Sequence, residues 1–105
     1  MTNNSEWFLR PGVLGRTLYF QSDCGYSLMV MDNRHQEVIY LPLKRIEQLL
    51  PHGRFRRVHR SYLINMEEVS AFRYYRTQLL AVIRDYRIPV SRRYGRDLLS
   101  SLDQL

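Results

Sequence analysis

From residue 17 onward, short runs of strand-forming residues alternate with polar turn signals, and that punctuation excludes a fold built on long helices. Residues 17–21 (Thr-Leu-Tyr-Phe-Gln) are followed by Asp23-Cys24-Gly25, and residues 26–31 by Asp32-Asn33; a third run covers residues 36–41. Short strands joined by tight turns pair with their chain neighbours, so these three predict an antiparallel meander. Residues 55–58 start a further strand, and residues 59–65 form a turn and a short apolar segment. Residues 69–75 and 78–84 flank Arg76-Thr77 as a hairpin, and residues 87–90 make a last short strand after Asp85-Tyr86.

Two segments change period. Leu43, Ile46, Leu49 and Leu50 fall on one helical stripe, with Pro42 near its start and Pro51 and Gly53 stopping it. Ser91 can cap a final helix, along which Tyr94, Leu98, Leu102 and Leu105 recur at four- and three-residue spacing. Residues 1–16 form a lead-in or tail, broken at Pro11-Gly12 and Gly15; its Trp7 and Phe8 either pack back on the domain or contact a partner. Leu18-Tyr19-Phe20-Gln21-Ser22 resembles the scar of a protease-cleavable tag. Arg16 stands where such a site wants an acidic residue, and the apolar pattern runs straight through, so the segment belongs to the fold. The expectation is one mainly β domain over residues 17–105, with a short internal helix and a C-terminal helix. A chain of 105 residues holds a single core.

Charge is distributed unevenly. Residues 1–50 balance five basic against five acidic side chains, so the formal charge of +6 lies wholly in residues 51–105. Of the sixteen basic residues only Lys44 is lysine. Arginine carries a planar, weakly hydrated fork that grips phosphate or guanine through two bonds. Such a bias points to a polyanionic partner rather than to solubility alone. No apolar run approaches the roughly 20 residues that span a bilayer, and the first residues lack the features of a signal peptide. The single cysteine, Cys24, has no internal partner, which fits a reducing, cytoplasmic setting.

Catalysis finds little support. His35, His52 and His59 lack metal-ligand spacing, there is no CxxC pair and no glycine-rich phosphate loop, and Glu67-Glu68 are adjacent. A nuclease built on His52 and His59 is the weakest reading. No cofactor or metal is expected.

Two basic elements stand out. In Phe55-Arg56-Arg57-Val58-His59-Arg60-Ser61-Tyr62-Leu63-Ile64-Asn65, apolar anchors alternate with polar groups, and an arginine held by buried neighbours loses less freedom on binding. Arg60 is the first choice for a base or phosphate contact. His59 either bonds the backbone and locks the turn or touches nucleic acid directly; Ser61 and Asn65 suit local backbone bonding. The second element, Ile88-Pro89-Val90-Ser91-Arg92-Arg93, opens a helix whose free amides favour a phosphate, with Arg96 one turn further on. Tyr74 and Tyr75 with Arg73 and Arg76 form an aromatic-basic cluster, which is either a base-stacking platform or an ordinary half-buried strand pair.

Taken together, the His-Arg-Ser turn and the Pro-Val-Ser-Arg return resemble the signature of the LytTR family of bacterial DNA-binding domains, with similarity running from about Leu18 to Leu102. The resemblance implies an elongated assembly of small antiparallel β-sheets that inserts loops, not a recognition helix, into successive major grooves of promoter DNA. It places contacts on three loops: at Gly25-Tyr26-Ser27, with the role of Tyr26 open; at Arg60; and at Arg92 or Arg93, with Arg93 preferred. Relatives are commonly fused to a receiver domain or a membrane segment, neither of which lies within these residues, so control by phosphorylation does not follow.

The expected function is sequence-specific double-stranded DNA binding for transcriptional regulation, on promoter repeats if two copies bind as a homodimer. The candidate contacts are Tyr26, Arg57, His59, Arg60, Ser61, Arg92, Arg93 and Arg96. Arg56, Arg73, Arg76, Arg84 and Arg87 are further phosphate candidates. The rivals are a single-stranded nucleic-acid module using the tyrosines and a protein-interaction adaptor using Trp7, Phe8 and a sheet edge.

Overall fold

The computed structural model describes residues 4–103, with side chains over residues 6–100. Eight strands form two antiparallel sheets. The first holds β1 (Thr17–Asp23), β2 (Tyr26–Met31), β3 (Gln36–Ile39), β4 (Phe55–His59) and β5 (Tyr62–Asn65) in the order β3-β2-β1-β5-β4. The second holds β6 (Ala71–Tyr75), β7 (Gln78–Ile83) and β8 (Tyr86–Val90) in sequence order. The meander expected from the first three runs is present, and the apolar segment after the His-Arg-Ser turn is β5, paired with β1. Helices α1 (Pro11–Leu14), α2 (Leu43–Leu49) and α3 (Arg92–Asp103) complete the chain, with 3-10 turns at Asn4–Leu9 and Met66–Glu68. The long axis, 48 Å, is nearly twice the other two, 27 and 25 Å. The expected mainly β, elongated architecture is therefore observed.

The five-stranded sheet is covered on both faces. Strand alternation sends Val30, Val58 and Ile64 to one side, against Leu79, Ala81, Ile83, Ile88 and Val90 of the second sheet and Leu98 of α3. It sends Phe20, Met29, Met31 and Leu63 to the other side, against Leu43, Ile46 and Leu50. Leu18 and Tyr19 both face the first core because the β1–β2 register shifts between Thr17 and Tyr19, a bulge that breaks the alternation. This burial on two faces explains the unbroken apolar run at residues 18–20.

Phe8 is fully buried in the second core, with its ring edge-on to Phe20 at 6.1 Å, and Trp7 packs beside it. Burying a ring of that size is worth roughly 1.5–3 kcal/mol, which anchors the segment before β1 to the sheet. Pro11 is compatible with α1 because it stands at the helix start, where its missing N–H would be unpaired in any case. Of the stripe expected along α3, Leu98 is buried and Tyr94 half-buried; Leu105 and the side chain of Leu102 lie outside the described residues.

Candidate nucleic-acid interface

Strand directions decide which loops share an end of the molecule. β5 is antiparallel to both β1 and β4, so β1 and β4 run the same way. The Cys24-Gly25 turn after β1, the Arg60-Ser61 turn after β4 and Tyr40 after β3 therefore all emerge at one end of the sheet. The Ser22 N–H donates to the Ser61 carbonyl at 2.9 Å, tying the first two turns together. The Ser91 N–H donates to the Val58 carbonyl at 2.9 Å, which brings the end of β8 and the start of α3 to the same place. Gln78 then donates through Nε2 to the Val90 carbonyl at 3.1 Å and carries the β6–β7 turn, Arg76-Thr77, there too.

The Arg60-Ser61 turn is held by side chains. Two-residue hairpin loops match strand twist best when their central residues adopt positive φ. Cys24 and Gly25 do so, at 49° and 95°, whereas Arg60 and Ser61 do not. Arg57 compensates: its Nε donates to the His59 carbonyl at 2.9 Å, its Nη2 donates to the Arg60 carbonyl, and its Nη1 meets Glu47 Oε1 of α2 at 2.8 Å. The same guanidinium lies 5.8 Å from the centre of the Tyr94 ring on α3. His59 accepts the Ser61 N–H on Nδ1 at 3.0 Å and packs edge-on against Tyr62. Burial, then the charges of Arg60 and Arg57, hold its imidazole below the ordinary value of 6.5, so the ring favours its neutral form with the proton on Nε2. Below it, Tyr62 packs at a tilt against Tyr19 and Tyr19 edge-on against Tyr86; burial, then the Tyr86 and Tyr62 phenols, push the Tyr19 hydroxyl up to about 12.

At the start of α3, the Ser91 hydroxyl accepts the Tyr94 N–H at 3.2 Å, the cap its position suggests. Arg92, Arg93 and Arg96 project from the first two turns and are exposed. The helix runs antiparallel to β4, with Arg56 donating to the Asp97 carbonyl at 3.3 Å, so its N-terminus points towards the Arg60 turn.

Pairing of arginines differs between the two ends. Away from the loops, Arg16 pairs with Asp32, Arg34 with Asp85, Arg54 with Glu67 and Arg84 with Glu68. At the loop end, Arg60, Arg92, Arg93 and Arg96 are exposed and form no salt bridge among the described residues.

The candidate contacts thus converge at one end, but in two classes. Arg60, Arg92, Arg93, Arg96 and Tyr26 are exposed, whereas Arg57 and His59 are engaged in shaping the turn. Ser61 contributes through its backbone on both sides of that turn. Asn65 is fully buried: its Nδ2 donates to the Thr17 carbonyl and its Oδ1 accepts the Glu67 N–H. Tyr74 and Tyr75 are 67% and 66% exposed, which corrects the half-buried alternative. Arg73 and Arg87 lie beside Leu80 and Val82 on the outer face of the second sheet. His52 lies in the turn before β4 whereas His59 closes that strand, and no cluster of potential metal ligands occurs among the described residues. No helix among them is long and apolar enough to cross a membrane. Sequence reading passed over Tyr40 and Gln78. Tyr40 was within reach, since the third strand of a meander ends beside the turn that joins the first two.

The family model described as the LytTr DNA-binding domain matches residues 15–103. No curated protein matches the chain. The fold is similar to that of a solved structure described as the LytTr DNA-binding domain of a methyl-accepting/DNA response regulator from Bacillus cereus. The TM-score is 0.75 at 22% identity, over 84% of this chain and 82% of the other.

Proposed function

Because the chain belongs to the LytTR family of DNA-binding domains, which implies DNA binding in transcriptional regulation, we propose that it binds duplex DNA sequence-specifically through its three-loop end. Arg60 and Arg93 (or Arg92) approach base edges, where a guanidinium bonded twice to guanine gives about 1–3 kcal/mol of discrimination. Arg96 and the remaining member of the pair contact phosphate and set register. Arg57 and His59 act one step back, fixing the turn from which Arg60 projects, and Tyr26 faces the duplex from the first turn. The domain is residues 17–105, with the preceding segment as its lead-in. Two copies on repeated promoter half-sites would space them near a multiple of about 10 base pairs.

The observation that carries this reading is the asymmetry of the arginines. Four are paired with carboxylates at one end. At the other, Arg57 is paired with Glu47 and four more stand exposed, without a salt bridge among the described residues, beside a helix N-terminus and two hairpin turns. A surface serving only solubility has no reason to segregate them. The test is selection of a preferred duplex from a random pool, followed by mobility shifts with Arg60→Ala and Arg93→Ala. Lost preference at one or two positions supports base contact. A uniform weakening with a shallower salt dependence would assign both arginines to phosphate instead.

A further inference from the structure

Six large apolar or aromatic side chains are exposed among the described residues, and four of them are tyrosines: Tyr26 (40%), Tyr40 (79%), Tyr74 (67%) and Tyr75 (66%). All four emerge at the loop end, in two pairs. Tyr26 opens β2 and Tyr40 follows β3, and their rings meet at 5.8 Å. Tyr74 and Tyr75 close β6, with the Arg76 guanidinium 5.7 Å from the centre of the Tyr75 ring. Strand order sets the pairs apart. Tyr26 and Tyr40 lie three and four strand steps from β4, on the far side of the Arg60 turn from α3. β8 runs from Tyr86 against Tyr19 of β1 to Ser91 against Val58 of β4, and β7 leads into Arg84, paired to Glu68 after β5. β6, the next strand out, therefore lies on the β4 side, where Tyr74 lines a groove with Arg92 and Arg96. The arginines are thus in the middle and a tyrosine pair stands on each flank.

At about 4.8 Å per strand step, the first pair lies roughly 14–19 Å from β4. A major groove is only about 12 Å wide, so with the sheet laid across the groove these tyrosines meet a duplex outside the groove that Arg60 enters. What a phenol finds there is the sugar-phosphate backbone, to which tyrosine hydroxyls donate readily. Resting on the duplex-binding reading above, we infer that Tyr40 with Tyr26 on one flank, and Tyr75 with Tyr74 on the other, donate to phosphates and mark the two edges of the footprint. They differ from the arginines in kind. A neutral donor adds affinity without displacing a condensed counterion, so it leaves the salt dependence of binding untouched.

The test uses the full chain and a duplex selected from a random pool. Tyr40→Phe and Tyr75→Phe each remove one hydroxyl from an exposed position, and the expected loss of affinity is about three- to tenfold. The slope of log affinity against log salt stays at the wild-type value. Hydroxyl-radical footprinting of Tyr40→Ala and Tyr75→Ala shortens protection at one edge each, and at opposite edges. Wild-type affinity and footprints in both pairs of variants, with Arg60→Ala still impaired, overturn this inference and leave the duplex reading intact. A wild-type protein that protects no duplex, or that prefers single strands in a manner abolished by Tyr74→Ala, overturns both.

Discussion

Arg57 differs from Arg60 in what its charge does, although the two are three residues apart on the same hairpin. Its fork reaches two carbonyls, Glu47 and the Tyr94 ring together, a set that a point-charge ammonium on a straight stem does not reproduce. Arg57→Lys should therefore lower stability by about 1 kcal/mol in urea denaturation and weaken DNA binding through a looser turn. The salt slope should stay unchanged, because the net charge is kept and no phosphate contact is lost. A slope shallower by about one counterion would place Arg57 on the duplex itself. His59 gives a pH prediction. Its imidazole titrates below 6.5 in the folded protein, so between that value and 6.5 the unfolded chain binds more protons. Stability then rises with pH across the window, is fully present above 6.5, and is lost on acidification. Denaturation at about pH 5 and about pH 8 should show a smaller difference for His59→Asn, which keeps an acceptor for the Ser61 N–H but cannot titrate.

Between the β5 hairpin and the second sheet, Asn65 caps the 3-10 turn through its side chain. It is buried, donates to the Thr17 carbonyl at 2.9 Å and accepts the Glu67 N–H at 3.1 Å, so it joins β1 to the 3-10 turn at Met66–Glu68. Asn65→Ala leaves both backbone groups unmatched at a cost of about 1–3 kcal/mol. Asn65→Asp should cost more, since a carboxylate oxygen would face the Thr17 carbonyl; equal midpoints for the two variants in thermal unfolding would refute this. Strands and helix caps were legible from local rules: turn signals bound β1, β2 and β7, and Ser91 caps α3 as its position suggests. The helical lead-in was not, because Pro11-Gly12 looks like a breaker and the burial of Phe8 depends on a sheet formed later in the chain. Gly95 was equally opaque. A glycine inside α3 lowers helix propensity, yet a Cβ there would lie 3.0 Å from Val90 Cγ1, so the close approach of α3 to β8 leaves little room for one. In the site, the arginine types and the two turns were visible in sequence. That Arg57 bonds the turn while Arg60 stands exposed depended on side-chain geometry that no spacing encodes.

At the scale of the whole molecule, the two ends should behave as separate electrostatic bodies. Strands of four to seven residues put them roughly 13–23 Å apart, beyond the Debye length of about 8 Å at physiological salt. Arginines at the paired end, such as Arg34 and Arg84, already have carboxylate partners. Their exposed pairs contribute little stability and their fields cancel before reaching the loops. Arg34→Gln and Arg84→Gln should therefore change duplex affinity by less than about twofold, with the salt slope preserved. Arg92→Gln and Arg96→Gln carry no such compensation, and each should reduce the slope by about 0.9 if it releases one counterion on binding. Measuring all four variants across the same salt series separates steering by net charge from contact at one end. If affinity merely followed net charge, every one of these single substitutions would weaken binding alike, and the segregation of paired from exposed arginines would have no functional consequence.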